Sequence, residues 1–433
     1  MEDATPIDAI LQSPGLWWIA AEIFVRHLDN IADFVNCELV CKKWQHIFIH
    51  GSLWKKRLWF AIANKGSFQR HLLESNPEWT DTSSIETVEE EHIFYRSLAF
   101  QFSKKSILSA WKRGKFTLKK VSSWPIIREL SEVGGDKIVL AQGCSVQVAY
   151  RTPSLIKDDE YGMRLQYDLA GHRREITCIH FDKESSIAVA GGRDRNLTSW
   201  DIEKGALLVN RSEAHDRLIT SVKIYKKFVF SSSRDKTVKV WDLLTMEPHQ
   251  VLLGHHAHSV WGIDVRNDFL VTSSADKSLN VWVNDSPTDV WTFQSKLDNE
   301  DAPLRNVVIL EKTPNLALSG DLLGDLKVWN LSRGQLEYTV PDPGEQGLFR
   351  KSGSIVSLSQ TLDVAGAAFS NKSIALFSTE KCLTQLTLLN LITIDHVIDR
   401  HSFIRNILVT DGRVYICNVS GSVGLVICDI IWR

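Results

Sequence analysis

A serine, a histidine and an aspartate that could form a catalytic triad lie close together near the middle of the sequence. His215, Ser231 and Asp235 are followed by Trp241 in one segment of the 433-residue chain. In serine hydrolases the histidine takes the serine proton, and the aspartate orients the histidine. One interpretation of this segment is therefore a hydrolytic site.

Imperfect copies of the same set favour a structural interpretation. The matching residues in the two neighbouring segments are His172, Ala190, Asp194 and Trp200, and then Thr272, Asp276 and Trp282. Catalysis normally needs each group once, whereas a hydrogen-bond network that holds a repeat together is expected in repeat after repeat. We therefore predict that these side chains hydrogen-bond through one repeat, and that the chain has no catalytic residue and is not an enzyme.

Two cysteines and two histidines near the amino terminus form a second candidate site. Cys37, Cys41, His46 and His50 have the spacing C-x3-C-x4-H-x3-H, which loosely resembles that of zinc ligands. The two cysteines, however, lie one helical turn apart in an apolar periodic segment, where cysteine acts as a small hydrophobic residue. The second interpretation is favoured, and the sequence predicts neither a metal nor another cofactor.

Seven arginines recur in similar short contexts. Some share one position in segments such as PLRNVV and FIRNIL, and others lie three residues earlier or in GGRDR and SSRDK. The planar guanidinium group can donate two parallel hydrogen bonds to a carboxylate or a phosphate. The candidate substrate-binding residues, with a tryptophan that shares the first of these positions, are Arg128, Arg174, Arg193, Arg217, Arg234, Trp261, Arg305 and Arg405. They predict a site for an acidic or phosphorylated segment.

The elements that must position these residues are repeats that end in tryptophan. Trp200, Trp241, Trp282 and Trp329 end similar segments and are separated by 41, 41 and 47 residues. A period of about 40–45 residues with a terminal Trp-Asp is typical of WD-repeat propellers. Residues 215–253 also contain four short runs rich in β-branched residues, which predicts four strands per repeat.

Weaker copies on both sides raise the number of predicted blades to seven. Ala149, Phe377 and Cys428 take the place of the tryptophan in these copies. The last copy lacks a fourth strand, and residues 115–121 (KFTLKKV) precede the first copy with suitable alternation. Because an unpaired edge strand promotes aggregation, we expect this segment to complete the last blade. The sequence thus predicts an all-β seven-bladed propeller over residues 115–433.

The predicted blades bring the candidate arginines to one end of the propeller. The loop before the first strand and the turn between the second and third strands share that end, and the first strand borders the central channel. We therefore expect the arginines to crowd one face. Thr177 and Thr220 take the shared arginine position in two blades. The alternative is that the arginines are scattered surface charges.

Residues 14–60 show a different pattern, with apolar residues at the spacing of about three short helices. The sequences LDNI, ELVCKKW and GSLWKK in this segment resemble an F-box. Together with the WD repeats they resemble an F-box/WD-repeat protein, and ELVCKKW is similar to the version in the beta-transducin-repeat-containing ubiquitin-ligase receptors. The resemblance implies an F-box core and adaptor-binding surface made of Ile19, Ile23, Leu28, Leu39, Val40, Trp44, Leu53 and Trp54.

The resemblance also implies a function. In this family the F-box binds a Skp-type adaptor of a cullin–RING (SCF-type) ubiquitin ligase, and arginines on the propeller hold substrate. We therefore expect a substrate-recognition subunit, with a scaffold outside the degradation pathway as the alternative. Residues 61–114 are expected to link the modules through an acidic loop at 75–92 and a helix at 91–111.

Composition limits the remaining choices. Fifty Lys and Arg against 52 Asp and Glu give a net charge of −2, which disfavours a nucleic-acid partner. No apolar run approaches the roughly 18 residues of a membrane span, so we expect no membrane partner. Seven cysteines without a C-x-x-C pair predict reduced thiols inside a cell. We therefore expect the protein in the cytoplasm, the nucleus or both.

Overall fold

A computed structural model describes most of the propeller. The described residues are 87, 95, 116–121, 127, 129–134, 137–151, 163–285, 288–341, 353–361, 363–382, 384–394, 403–410, 413–418 and 425–430. The predicted F-box and nearly all of the predicted linker lie outside them. The strands form one compact unit over Phe116–Ile430. In the described part of the chain no helix is long and apolar enough to cross a membrane.

The described residues contain 28 short strands. The first nine are β1 (Phe116–Val121), β2 (Glu129–Gly134), β3 (Lys137–Gln142), β4 (Ser145–Arg151), β5 (Met163–Ala170), β6 (Ile176–Asp182), β7 (Ile187–Gly192), β8 (Leu197–Asp201) and β9 (Ala206–Arg211). The next eight are β10 (Ile219–Tyr225), β11 (Phe228–Ser233), β12 (Val238–Asp242), β13 (Pro248–Leu252), β14 (Val260–Arg266), β15 (Phe269–Ser274), β16 (Ser278–Asp285) and β17 (Val290–Asp298). The last eleven are β18 (Leu304–Ile309), β19 (Leu316–Asp321), β20 (Leu326–Asn330), β21 (Gln335–Thr339), β22 (Ile355–Gln360), β23 (Val364–Phe369), β24 (Ser373–Ser378), β25 (Thr387–Thr393), β26 (Ile404–Val409), β27 (Arg413–Asn418) and β28 (Leu425–Ile430).

These strands form seven antiparallel sheets of four strands each. The first six blades take consecutive strands, from β2–β5 in the first blade to β22–β25 in the sixth. The seventh blade combines β26, β27 and β28 with β1, in which Phe116 lies opposite Ile430. The predicted seven-bladed propeller is therefore confirmed, and the first and last strands of the unit share one blade.

The hydrophobic core lies between neighbouring blades. Second strands such as β11 (FVFSSS) are buried along their whole length. Trp241 of the third blade packs in one cluster with Cys178 of the second. The two blades approach so closely that a Cβ atom added to Gly191 would lie 2.5 Å from Cγ2 of Ile219. Because full burial of a large apolar side chain contributes about 1.5–3 kcal/mol, these interfaces stabilise the ring.

Side chains of one innermost strand accept hydrogen bonds from backbone N–H groups of the next innermost strand. The N–H groups at the channel edge of a sheet have no strand partner, so they need other acceptors. The N–H of Ile309 donates to Oδ2 of Asp264 at 2.7 Å. The N–H of Val409 donates to Oγ of Ser359 at 2.9 Å. Each acceptor belongs to the preceding blade, and such bonds therefore join blades around the channel.

Candidate ligand-binding face

The residues of the apparent triad form a buried chain of hydrogen bonds in the third blade. Nδ1 of His215 lies 2.8 Å from Oδ2 of Asp235, and Nε2 lies 2.8 Å from Oγ of Ser231. Nε1 of Trp241 donates to the same hydroxyl at 2.8 Å. Ser231 is 0% exposed and His215 is 1% exposed, so the hydroxyl is closed to a substrate. The predicted hydrogen bonds of this set through one blade are confirmed.

Asp235 ties two loops together. Burial alone would raise the pKa of its carboxyl, but hydrogen bonds with His215 and Thr237 outweigh burial and hold the pKa well below its usual value. The carboxylate also accepts the backbone N–H of Asp216 at 3.1 Å and that of Thr237 at 2.9 Å. It therefore fixes the loop before β10 to the turn between β11 and β12.

The neighbouring blades contain variants of this network. In the fourth blade, His256 lies 3.1 Å from Asp276 and 2.8 Å from a threonine hydroxyl. In the second blade, His172 lies 3.0 Å from Asp194. There Ala190 supplies no hydroxyl, and the buried Nε2 of His172 has no hydrogen-bond partner among the residues that the structure describes. The histidine–aspartate tether is thus present in three successive blades, and the hydroxyl in two of them.

Two arginines in turns between second and third strands lie next to the start of the innermost strand of their blade. The backbone N–H of Arg193 donates to the carbonyl of Glu175 at 2.9 Å. The backbone N–H of Arg234 donates to the carbonyl of Leu218 at 3.2 Å. Glu175 and Leu218 immediately precede β6 and β10. Both arginines therefore lie at the end of the propeller where the innermost strands begin.

We call this end of the propeller the arginine face. Its described candidate residues are Arg174, Arg193, Arg217, Arg234, Trp261, Arg305 and Arg405. Arg174, Arg217 and Arg234 are exposed, and no acid within the described ranges forms an ion pair with them. Arg193 is different, because its Nε lies 3.1 Å from Oε2 of Glu175. The second and third blades therefore present three exposed arginines that have no ion-pair partner in the described part of the chain.

The remaining described candidates lie at bulges in innermost strands. The pairing of β18 with β19 skips from Leu304 to Asn306, which leaves Arg305 outside the ladder. The same skip occurs at Trp261 and Arg405. All three side chains are half-buried. Burial and then the charge of Arg405 lower the pKa of Arg305, so these two guanidinium groups lie within electrostatic range of each other.

Two threonines at the same bulge position join blades instead of facing a ligand. Oγ1 of Thr220 donates to the carbonyl of Val260 at 2.6 Å. Thr177 donates in the same way to the carbonyl of Ile219. Each acceptor belongs to the following blade. The sequence aligned these threonines with the arginines correctly, but residues at this position have different roles.

An acid of the first blade, which sequence reasoning missed, faces the same region. Glu129 of β2 accepts the backbone N–H of Ile179 at 3.1 Å. Burial raises the pKa of its carboxyl to about 7, against the opposing charges of Arg405 and Lys223. Glu129 follows Arg128 in IIRELS, and no feature of that sequence distinguishes it from a surface glutamate. The positive charge of Arg405 is therefore partly balanced when Glu129 is ionised.

Several predicted residues lie outside the described part of the chain, and Arg128 is one of them. The others are the adaptor-binding candidates Ile19, Ile23, Leu28, Leu39, Val40, Trp44, Leu53 and Trp54, and the alternative zinc ligands Cys37, Cys41, His46 and His50. Among the described residues, no group of three or more His, Cys, Asp or Glu could hold a metal ion.

Comparison with known proteins identifies the family. Residues 19–59 match the F-box-like family, and residues 163–201, 208–242 and 246–283 match the WD domain, G-beta repeat. A stretch of 63 residues is 41% identical to F-box/WD repeat-containing protein A of Dictyostelium discoideum. The chain is an F-box/WD-repeat protein. The stretch shared with the Dictyostelium protein covers 13% of this chain and 5% of that relative.

Other proteins similar to this F-box/WD-repeat protein have lower sequence identity to it. Mitochondrial division protein 1 of Saccharomyces cerevisiae is 29% identical over 94 residues, which are 18% of this chain and 13% of that protein. The structure of U3-55K matches 73% of this chain and 98% of its own with a TM-score of 0.57 and 16% identity. The propeller domain of Doa1 matches 72% of this chain and 96% of its own, with a TM-score of 0.54 and 17% identity. The chain thus spans a small part of these curated relatives, and the structures share its propeller fold.

Proposed function

We propose that this F-box/WD-repeat protein is a substrate-recognition subunit of a cullin–RING ubiquitin ligase. The F-box-like segment binds a Skp-type adaptor through the apolar candidates between residues 19 and 54. The arginine face binds an acidic or phosphorylated segment of a substrate protein. The presence of an F-box-like domain and WD repeats in one chain supports this division of roles. The similarity of ELVCKKW to the beta-transducin-repeat-containing receptors supports it further.

The unpaired arginines are the observation that carries the substrate-binding half of the proposal. Arg174, Arg217 and Arg234 lie on two adjacent blades, and each is exposed with no acid of the described residues in an ion pair with it. A hydrogen bond to a charged group contributes about 1.5–3 kcal/mol, so two or three of them to one anion are enough to select it. Trp261 adds an apolar surface on the next blade.

In this proposal the protein carries out no chemistry itself. It holds the substrate beside the ligase and so raises the effective concentration of substrate lysines at the conjugating enzyme. The burial of Ser231 and His215 supports a non-enzymatic role. We place this activity in the cytoplasm, the nucleus or both, on the basis of the cysteine content.

Co-purification with a Skp-type adaptor tests the ligase half of the proposal. The double substitution Leu53→Ala with Trp54→Ala removes two apolar candidates and is expected to abolish adaptor binding. The matched control is Leu244→Ala, which removes a leucine that is 69% exposed on the propeller. Adaptor binding that persists in a folded double variant would contradict the proposed contacts.

A scaffold outside the degradation pathway is the second candidate function. It is supported by partial relatives such as Mitochondrial division protein 1, whose name refers to division of mitochondria and not to protein degradation. Depletion of the protein distinguishes the two functions, because captured proteins accumulate if it is a ligase receptor and keep their levels if it is a scaffold. If the arginine face instead bound nucleic acid, its affinity would fall steeply with salt concentration, and phosphopeptides would not bind.

A further inference from the structure

Arg193 and Arg234 occupy the same turn position in adjacent blades, but they face different neighbours. The backbone N–H of each donates to the residue just before the innermost strand, which is Glu175 in the second blade and Leu218 in the third. Nε of Arg193 lies 3.1 Å from Oε2 of Glu175. A leucine cannot form such a pair, and no described acid pairs with Arg234. The two blades therefore present one paired and one unpaired arginine.

The loops that carry the two arginines are otherwise held in the same way. In the second blade, His172 lies 3.0 Å from Asp194. In the third blade, His215 lies 2.8 Å from Asp235. Each aspartate directly follows its turn arginine in the sequence. The difference in pairing thus comes from the residue before the strand and not from a different loop geometry.

The ion pair changes which ligand Arg193 can attract. The side chains of Arg193 and Glu175 are 55% and 27% exposed, and ion pairs of this kind are weak enough to be displaced. A ligand carboxylate gains little at Arg193, because it replaces a carboxylate of the same charge. A phosphate has a charge of about −1.5 to −2 and three strong acceptor oxygens, so it is attracted more strongly than the group it displaces.

We infer that Glu175 makes Arg193 selective for a phosphorylated ligand over one that is merely acidic, whereas Arg234 accepts both. This inference rests on the proposed function, which leaves the choice between an acidic and a phosphorylated segment open. Glu175 acts through Arg193 and is in this sense a specificity-determining residue. Its effect is on the ratio of two affinities, which a purely structural role would leave unchanged.

Three labelled peptide pools provide the test. Their sequences are degenerate around a fixed central phosphoserine, aspartate or serine, and the full chain is the binding protein. The wild type is expected to bind the phosphoserine pool several-fold more tightly than the aspartate pool. Glu175→Gln is expected to tighten binding of the aspartate pool most, so that the ratio falls towards one. A general gain of positive charge would favour the more highly charged phosphoserine pool instead.

The third blade supplies the reverse experiment. Leu218→Glu places an acid beside Arg234 and is expected to weaken binding of the aspartate pool more than binding of the phosphoserine pool. Leu218→Gln is the matched control, because it removes the leucine and adds no charge. Thermal unfolding at the wild-type temperature shows that each variant is folded.

The outcomes separate the inference from the proposed function. An unchanged affinity ratio in folded Glu175→Gln overturns the inference and leaves the proposed function in place. Equal binding of all three pools by the wild type overturns the substrate-binding half of the proposed function, and the inference with it.

Discussion

The second and third blades share an arrangement of strands and arginines, but only the third completes its internal network. Ser231 links His215 to Trp241 in the third blade, with both distances 2.8 Å. The second blade has Ala190 in that place, and its tryptophan, Trp200, donates instead to a backbone carbonyl at 3.2 Å. Both blades keep the contact between histidine and aspartate. The hydroxyl is therefore replaceable, whereas the part of the network that fixes the loops is present in both.

The histidine–aspartate contact that both blades share connects the network to the arginine face. The aspartate of each network accepts one backbone N–H from the loop before the innermost strand and another from the turn between the second and third strands. In the second blade, Asp194 accepts the N–H of Arg173 at 2.8 Å and that of Asn196 at 3.2 Å. The candidate arginines of these blades lie in the same loops. If these arginines bind a ligand as proposed, the tether holds their loops in place beforehand and so reduces the cost of ordering them around it.

Removing the tether of the third blade is expected to have the largest effect on stability. Asp235→Ala leaves buried His215 and the backbone N–H groups of Asp216 and Thr237 without their hydrogen-bond acceptor, and each buried polar group left unsatisfied costs about 1–3 kcal/mol. Urea unfolding at pH 7 measures this change. Because the pKa of Asp235 is lowered by folding, its contribution is complete above the usual aspartate pKa and declines as the pH falls.

Asp194→Ala in the second blade is the matched comparison. It is expected to destabilise less than Asp235→Ala, since the network of the second blade has already lost its hydroxyl link to the tryptophan. An equal or greater loss in the second blade would show that the two networks do not differ in the way described.

Glu129 of the first blade extends the comparison with an opposite dependence on pH. Its pKa is about 7 in the folded protein, above the usual glutamate value, so stability from this group is present below about pH 4.5 and declines between about pH 4.5 and 7. Glu129→Gln is expected to raise the free energy of unfolding at pH 8 by up to about 3 kcal/mol and to flatten this decline. Thermal unfolding between pH 5 and 8 checks the direction, and a variant less stable than wild type at pH 8 would refute it.

Adding the missing hydroxyl to the second blade is expected to have a smaller, favourable effect. Ala190→Ser places a hydroxyl at the position that Ser231 occupies in the third blade, and we expect it to bond Nε2 of His172, which has no partner among the described residues. A hydrogen bond made in this way contributes about 1 kcal/mol. Urea unfolding should show the gain, and the reverse change, Ser231→Ala, should destabilise. Destabilisation by Ala190→Ser would mean that the second blade has no space for the hydroxyl.

The repeat made most of the propeller predictable. Four tryptophans at regular spacing gave the period, and the period aligned the weaker copies with the strong ones. The missing fourth strand of the last repeat pointed to residues 115–121, and Phe116–Val121 does pair with β28. The network of the third blade was also predictable, because side chains that recur at fixed positions in repeats lie at equivalent places in space.

The individual roles on the arginine face were not predictable in the same way. Glu175 and Arg193 are 18 residues apart, and only the fold brings their charged groups within 3.1 Å. The pKa of Glu129 depends on burial, which its sequence context does not reveal. Thr177 and Thr220 were aligned with arginines, but their short hydroxyl side chains donate to backbone carbonyls of the following blade. Aligning the repeats gives the position of a residue in its blade, but the role of its side chain depends on the residues that surround it in the fold.

The most direct test of the central claim is quantitative affinity purification with substitutions on the arginine face. Arg174→Glu with Arg305→Glu is compared with Lys204→Glu with Arg333→Glu, which makes the same change of charge in turns at the opposite end of the blades. We expect the first pair to lose the proteins that the wild type captures, phosphatase treatment to release them, and the second pair to retain them. Capture of the same proteins by both folded variants would contradict the account.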